Sequence, residues 1–326
     1  MKAIKFFAIS AMAAAMITSC SSEDELSQSN YPSDNIIRVT AGVNNAKTRA
    51  DGTGTEMKND FSLTIVNKNA PKYTYTDKVF SKKSGDWACS ETLLWQKSDA
   101  LVDIVAFAPA QTGKFNGVYA EGSIKPITYS VASDQSTSSD KNDLLYYYAK
   151  DFNPGESLDK GKLNIKFNHA FCMIDINVTL GTEFNKPSIQ TTSPIIKVTL
   201  GGTKIAANVN VTNAASVVTA SETAAATDIT TTNGSFTTAA NAETNAKSCF
   251  SCIAIPQTVA ANTFKVSLMT AGKRYEWTSD KEITLQSGYR YTLNLSMGND
   301  VVLLKGGSIT ANPWTEITSN KPLETE

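Results

Sequence analysis

The stretch LNIKFNHAFCMIDINVTL, residues 163–180, decides the fold class. Within it, Ala170, Cys172, Ile174, Ile176, Val178 and Leu180 fall on one parity, with Asp175, Asn177 and Thr179 on the other. A period of two puts successive side chains on opposite faces of a strand, so this run predicts a sheet with one face toward a core. The same period recurs outward in both directions. Ile37, Val39, Ala41 and Val43 share a face in residues 36–43. Phe61, Leu63 and Ile65 alternate with polar residues, and residues 101–108 form a nearly continuous apolar run of the kind found at a sandwich centre. Phe264, Val266 and Leu268 repeat the pattern, as do Tyr289, Tyr291, Leu293 and Leu295. Helical i, i+3, i+4 spacing is scarce after residue 20. The expected class is all-β, with strands spaced as in a sandwich.

Breaks between these runs suggest the organisation. Pro, Gly and charge concentrate in residues 151–161, where a domain boundary is expected. Residues 203–247 are rich in Ala, Thr and Asn, with Phe236 their single aromatic. Such a segment buries little per residue and reads as edge strands and exposed loops of the second domain. The expected layout is a signal at 1–19, an acidic tether at 20–35, an N-terminal β-domain at 36–158 and a C-terminal one at 159–326.

Composition excludes several functions. The chain has 326 residues, 30 basic, 31 acidic and one histidine. Without residues 1–19, which hold Lys2 and Lys5, 28 basic side chains face 31 acidic ones, a formal charge of −3. That offers no electrostatic ground for nucleic acid as a partner. His169 is the sole imidazole, and it lies inside a strand-like run, so a structural role reads better than a catalytic one. No base is paired with a nucleophile, and no enzyme activity is expected. Cys249 and Cys252 sit three apart in a strand ended by Pro256, hence on opposite faces, and no second pair accompanies them as zinc would need. Four cysteines besides Cys20 leave three disulfide pairings open. Asp134, Asp140 and Asp143 lack the spacing of a calcium loop. Gly201-Gly202 and Gly306-Gly307 read as turns, with no Lys-Ser or Lys-Thr after them to cradle a phosphate. No catalytic residue, metal ligand or cofactor is assigned.

The first 25 residues give an address. Lys2 and Lys5 precede an apolar run from Phe6 to Ile17, then Thr18, Ser19 and Cys20. This is a secretory signal too short to span a membrane. With Cys20 at its end it resembles a bacterial lipoprotein signal, in which that thiol is acylated and anchors the protein in a membrane. Glu23, Asp24 and Glu25 follow, a solvated acidic cluster that looks like the surface-export signal of Bacteroidales lipoproteins. An ordinary spacer on the periplasmic leaflet is the alternative.

Five further motifs occur in order: Asp143-Leu-Leu-Tyr146, the 163–180 stretch, Ile255-Pro-Gln257, Gly288-Tyr-Arg-Tyr-Thr-Leu293, and Ile309-Thr-Ala-Asn-Pro-Trp314. With the lipoprotein start, the set resembles the fimbrillin-like (Mfa-like) pilins of Bacteroidales type V pili, from about residue 36 to the end. The resemblance implies two transthyretin-like β-sandwich domains in tandem. It implies export as an outer-membrane lipoprotein precursor, cleavage after an Arg by a trypsin-like protease, and a place in a surface fimbrium. Arg49 matches the processing position, ahead of Lys47 and Arg38, among Asn44, Asn45, Gly52 and Gly54, which suit an exposed tip; a basic residue in a hairpin loop is the alternative.

The physical logic of such a subunit stands without the family. Removing the strand carrying Ile37, Val39, Ala41 and Val43 would leave a groove with unpaired backbone groups and empty apolar pockets. A neighbour's strand could fill it, as in donor-strand complementation, and a head-to-tail contact that does not close on itself makes a filament. The candidate donor is the C-terminal segment, with Ile309, Ala311, Trp314 and Ile317 as anchors, although Trp314 could equally close the second domain's own core. Pro313 lacks a ladder donor and fits a strand end. The partners then expected are copies of the chain or other pilin subunits, the processing protease, the outer membrane through the lipid, and an adhesion target on host or bacterium. Two other functions compete: a tip or accessory adhesin, and a surface glycan-binding lipoprotein outside any pilus, with Trp87 and Trp95 as candidates to stack on sugar rings, although Leu93 and Leu94 beside Trp95 favour a core role for it.

Overall fold

The computed structural model describes residues 30–44, 57, 59–111, 124, 126–137, 143–304 and 309–314. The class is all-β, and among the described residues the one short α-helix is Pro154–Ser157. Seven strands of the first part close into a barrel: β1 (Arg38–Val43), β2 (Phe61–Val66), β3 (Tyr75–Lys83), β4 (Asp86–Cys89), β5 (Val102–Ala108), β7 (Leu145–Phe152) and β8 (Lys162–His169). Their order around the wall is β1-β4-β3-β2-β5-β7-β8, with β8 returning to β1. Every pairing is antiparallel except β1 with β8. Closure rests on a full ladder between β1 and β8 and on a single pair between β1 and β4.

The interior is filled by Phe61, Leu63, Phe80, Ile104, Leu163, Ile165 and Phe167, with Ile37, Val39 and Val43 beside them. Phe61 stacks on Phe80 at 5.3 Å and meets Trp87 and Phe167 edge-on at 5.0 and 5.6 Å.

The remaining strands share a second core. β9 (Cys172–Leu180), β14 (Thr232–Thr237), β15 (Lys247–Ala254), β20 (Tyr289–Met297), β21 (Val302–Leu304) and β22 (Thr310–Pro313) form one sheet. β10 (Ile195–Gly201), β13 (Ile229–Thr230), β17 (Lys265–Thr270) and β18 (Arg274–Thr278) form another. β6 (Ile127–Ser130), β11 (Ala206–Val209) and β12 (Val218–Ala220) make a third, and β16 (Gln257–Val259) pairs with β19 (Ile283–Leu285). The Ala- and Thr-rich stretch thus supplies short strands of two to six residues, as its low apolar content requires.

Two details differ from the sequence expectation. The 163–180 stretch is two strands in two sheets, broken at Ala170-Phe171. Leu163, Ile165 and Phe167 point into the barrel on odd numbers, whereas Ile174, Ile176 and Val178 enter the second core on even ones. That flip of parity is the mark of the break. In consequence β8, numbered beyond the boundary expected at 158/159, pairs with β1 in the barrel, while β6, numbered before it, pairs with β11.

β5 joins the two cores. All seven of its residues are buried. Val102, Ile104, Ala106 and Ala108 face the barrel interior, and Val105 and Phe107 face the second core. A strand covered on both faces reads as a continuous apolar run, which accounts for residues 101–108.

Candidate functional site: the seat of β1 and the docked C-terminal segment

β1 begins in a local clip. Asp34 accepts a hydrogen bond from the Ile36 backbone at 3.0 Å and pairs with Arg38 at 2.6 Å. The guanidinium contact holds the exposed Asp34 carboxyl below its usual range, at about 2. Ile37 N–H then donates to Leu93 O, and Trp95 N–H to Asn35 O, tying the entry to residues 93–95. Beyond this the strand runs parallel to β8 through six paired positions, from Arg38↔Lys162 to Val43↔Phe167. On the opposite edge a single pair, Val39↔Trp87, joins it to β4.

The four residues singled out in the sequence lie where alternation puts them. Ile37, Val39 and Val43 are buried in the barrel core, and Ala41 packs against it half-buried. Asn44 follows with its side chain donating to Asn168 at 2.9 Å. Beside the distal half of β1 runs a groove of about 560 Å³, with residues 39–44 on one side and Lys82, Asp86 and Trp87 on the other. β1 is therefore a wall strand laddered over its whole length on one edge only, with space along much of the other.

The C-terminal segment is seated on its own part of the molecule. β21 pairs with Leu295, Ser296 and Met297 of β20, and β22 pairs with residues 289–292, so both lie along the same edge of β20. Ile309 and Ala311 pack half-buried against the second core. Trp314 is 6% exposed, and its backbone N–H donates to Gly288 O. Its indole stacks on His169, with ring centroids 3.7 Å apart and planes within 11°. The His169 Nδ1 lies 2.6 Å from Asp143 Oδ2. His169 ends β8, so these three side chains meet where barrel and second core adjoin. Asp143, His169 and Trp314 each lie in a stretch noted in the sequence. Their meeting joins residues 26 and more positions apart, and no local pattern signals it.

Tyr291 pairs with Ala311 across the β20–β22 ladder. Its hydroxyl donates to Thr284 O at 2.9 Å and accepts from Gln286 N–H at 2.8 Å, and burial pushes its pKa up to about 12.

Cys20, Arg49 and Ile317 lie outside the described residues. Of the two tryptophans considered for sugar stacking, Trp95 is 3% exposed and stacks on Phe152, while Trp87 is half-buried with its ring against Phe61. None of the four described cysteines is in a disulfide; Cys252 is buried on β15 and Cys249 half-buried.

Residues 48–314 match a family of proteins described as fimbrillin-like. The chain belongs to that family. Membership places it among fimbrial proteins of the cell surface. Solved structures agree in fold. A putative cell adhesion protein from Bacteroides uniformis superposes with a TM-score of 0.58 at 14% identity, over 87% of this chain and 100% of the other. A putative cell adhesion protein from Bacteroides ovatus gives 0.58 at 16% identity, over 87% and 99%. A fimbrial protein from Bacteroides vulgatus gives 0.53 at 16% identity, over 86% and 99%. A search among curated proteins finds no match.

Proposed function

We propose that this fimbrillin-like chain is a structural subunit of a surface pilus, assembled when a protease removes β1 and another subunit's strand takes its seat. The observation that carries the reading is the one-sided ladder of β1, with three core side chains on a strand whose other edge is nearly free. Burying Ile37, Val39 and Val43 is worth roughly 1.5–3 kcal/mol each, so an empty seat is a strong attractor for a strand with matching apolar residues. Cleavage after Arg49, just beyond β1, would leave β1 attached by non-covalent contacts alone. The C-terminal segment is the donor in this reading, with Ile309, Ala311, Trp314 and Ile317 as its anchors. The lipid on Cys20, after a signal at 1–19 and a tether at 20–35, carries the precursor to the outer membrane. The two parts of the fold, the barrel through β8 and the strands that share the second core, are read as transthyretin-like domains.

One observation favours a second reading, a tip or accessory adhesin. The C-terminal segment is already paired with β20, and Trp314 already fills its own core. A subunit that never donates a strand would keep it there.

Trypsin treatment of the purified precursor tests the first reading. Ladders that resist SDS should appear with the parent chain and be absent with Arg49→Ala. Equal polymerisation of the two would remove Arg49 as the trigger. Truncation after Gly307 separates the readings: a stalk subunit stops assembling, whereas a tip subunit still caps filaments.

A further inference from the structure

β8 has two dependencies at its two ends. Residues 162–167 find their ladder partners in β1, from Arg38↔Lys162 to Val43↔Phe167. β7 meets β8 only at Tyr146↔Asn168 and Leu145↔His169. The last residue of the same strand, His169, lies face to face with Trp314 at 3.7 Å. Its side chain is 3% exposed, and its Nε2 and the Trp314 Nε1 are buried without a hydrogen-bond partner. The ring is thus held in register by Asp143 and by the backbone of β8, and it holds Trp314 by its face alone.

Trp314 in turn closes the last part of the C-terminal segment, residues 309–314, onto the second core. β22 has four paired positions, all with β20, and Pro313 has no N–H to give. Thr310, Ala311 and Asn312 are half-buried and Pro313 exposed, so Trp314 is the buried anchor of residues 309–314.

We propose that β8 couples the two ends: β1 seated on β8 keeps His169 under Trp314 and so clamps the C-terminal segment to β20, and departure of β1 opens the clamp. Without β1, residues 162–167 lose the ladder that fixes the strand. The imidazole at its end then rests on Asp143 and on the two pairs with β7 alone. The device gives assembly an order, since the segment stays folded on its own molecule until the N-terminal strand has left. It rests on the reading of β1 as removable and of the C-terminal segment as donor, and it deepens that reading by naming the contact that connects them. The carrier is one continuous strand that meets β1 over residues 162–167 and Trp314 at His169.

Hydrogen exchange on the intact, uncleaved monomer tests the clamp without protease or polymer. His169→Gln keeps a donor toward Asp143 and removes the flat ring. Amides of residues 310–312 and 314 should exchange about three- to tenfold faster, the worth of one aromatic face contact. Coupling is reciprocal, so amides 163–167 should accelerate as well, while the ladder of β9 with β15 stays at the parent's rate. Acceleration at 310–314 alone, or at neither place, overturns the proposal. Val39→Asp puts a charge into the seat of β1 and should free 163–167 and 310–314 together. Release of 163–167 with an unchanged C-terminal segment also overturns it. Should Val39→Asp unfold the chain, the two His169→Gln readouts decide alone. A chain that fails to polymerise leaves the clamp standing, and uncoupled exchange in a chain that polymerises sinks the clamp alone.

Discussion

Tyr291 and Cys172 show what burial does to single ionisable groups in this core. Tyr291 is 5% exposed, and its pKa stands at about 12 against 10.0 in the unfolded chain. The group is neutral in both states below pH 10. Above that the unfolded chain loses the proton first, so stability is complete below pH 10 and declines as pH rises toward 12. Guanidinium unfolding at pH 9, 10 and 11 should show this decline. Tyr291→Phe should flatten it, at a cost of about 1–3 kcal/mol for the unpaired Gln286 N–H and Thr284 carbonyl. The Cys172 thiol is fully buried, with Sγ donating to Ala254 O at 3.2 Å, and burial raises its pKa far above the ordinary thiol range. The thiolate is the reactive form. Brief treatment with iodoacetamide at pH 8 should therefore modify the half-buried Cys89 and Cys249 and spare Cys172, as read by mass spectrometry. Labelling of Cys172 at the same rate would mean that β9 opens far more readily than its packing implies.

At the scale of elements, turns and shared strands carry the constraints. Gly202 follows β10 with φ +87°, and a Cβ there would stand 2.2 Å from the Thr263 carbonyl oxygen. Gly202→Ala should destabilise by about 1–3 kcal/mol or more, from left-handed backbone strain and the clash together. Gly272, where a Cβ meets nothing within 4 Å, is the control, and Gly272→Ala should leave the denaturation midpoint nearly unchanged. β5 yields a second comparison. Ile104→Ala opens the barrel interior and Phe107→Ala the second core, and each should cost about 2–5 kcal/mol in urea unfolding. The existence of β1, β5, β9, β17 and β20 was legible from period two and apolar runs. β6 and β13 were not, because strands of four and two residues are shorter than any periodic signal.

At the scale of the molecule, connectivity departs from the order of the sequence. The Pro- and Gly-rich break at 151–161 is real as a local feature, holding the short helix and its cap from Asn153, but it lies inside the barrel, between β7 and β8. A fragment ending at residue 158 lacks the strand that carries β1. A fragment ending at residue 171 contains all seven barrel strands. Circular dichroism and amide exchange should show the shorter fragment much less ordered and the longer one retaining protected barrel amides. Equal order in both would mean that β8 is dispensable to the barrel. The candidate site was half legible in the same way. The apolar face of β1 could be read from its spacing, whereas its dependence on β8, more than 120 positions away, could not.

By itself the sequence determined the local alphabet of this protein: strands of period two, turns at Gly and Pro, and a segment too poor in apolar residues to do more than edge a sheet. These are short-range properties, written within ten residues of one another. The tertiary structure alone decided that β8 closes the barrel on β1, that β5 serves two cores, and that Trp314 lies on His169. Each of those is a choice among distant partners of equal local quality, settled by which closure buries the most apolar surface with every ladder satisfied.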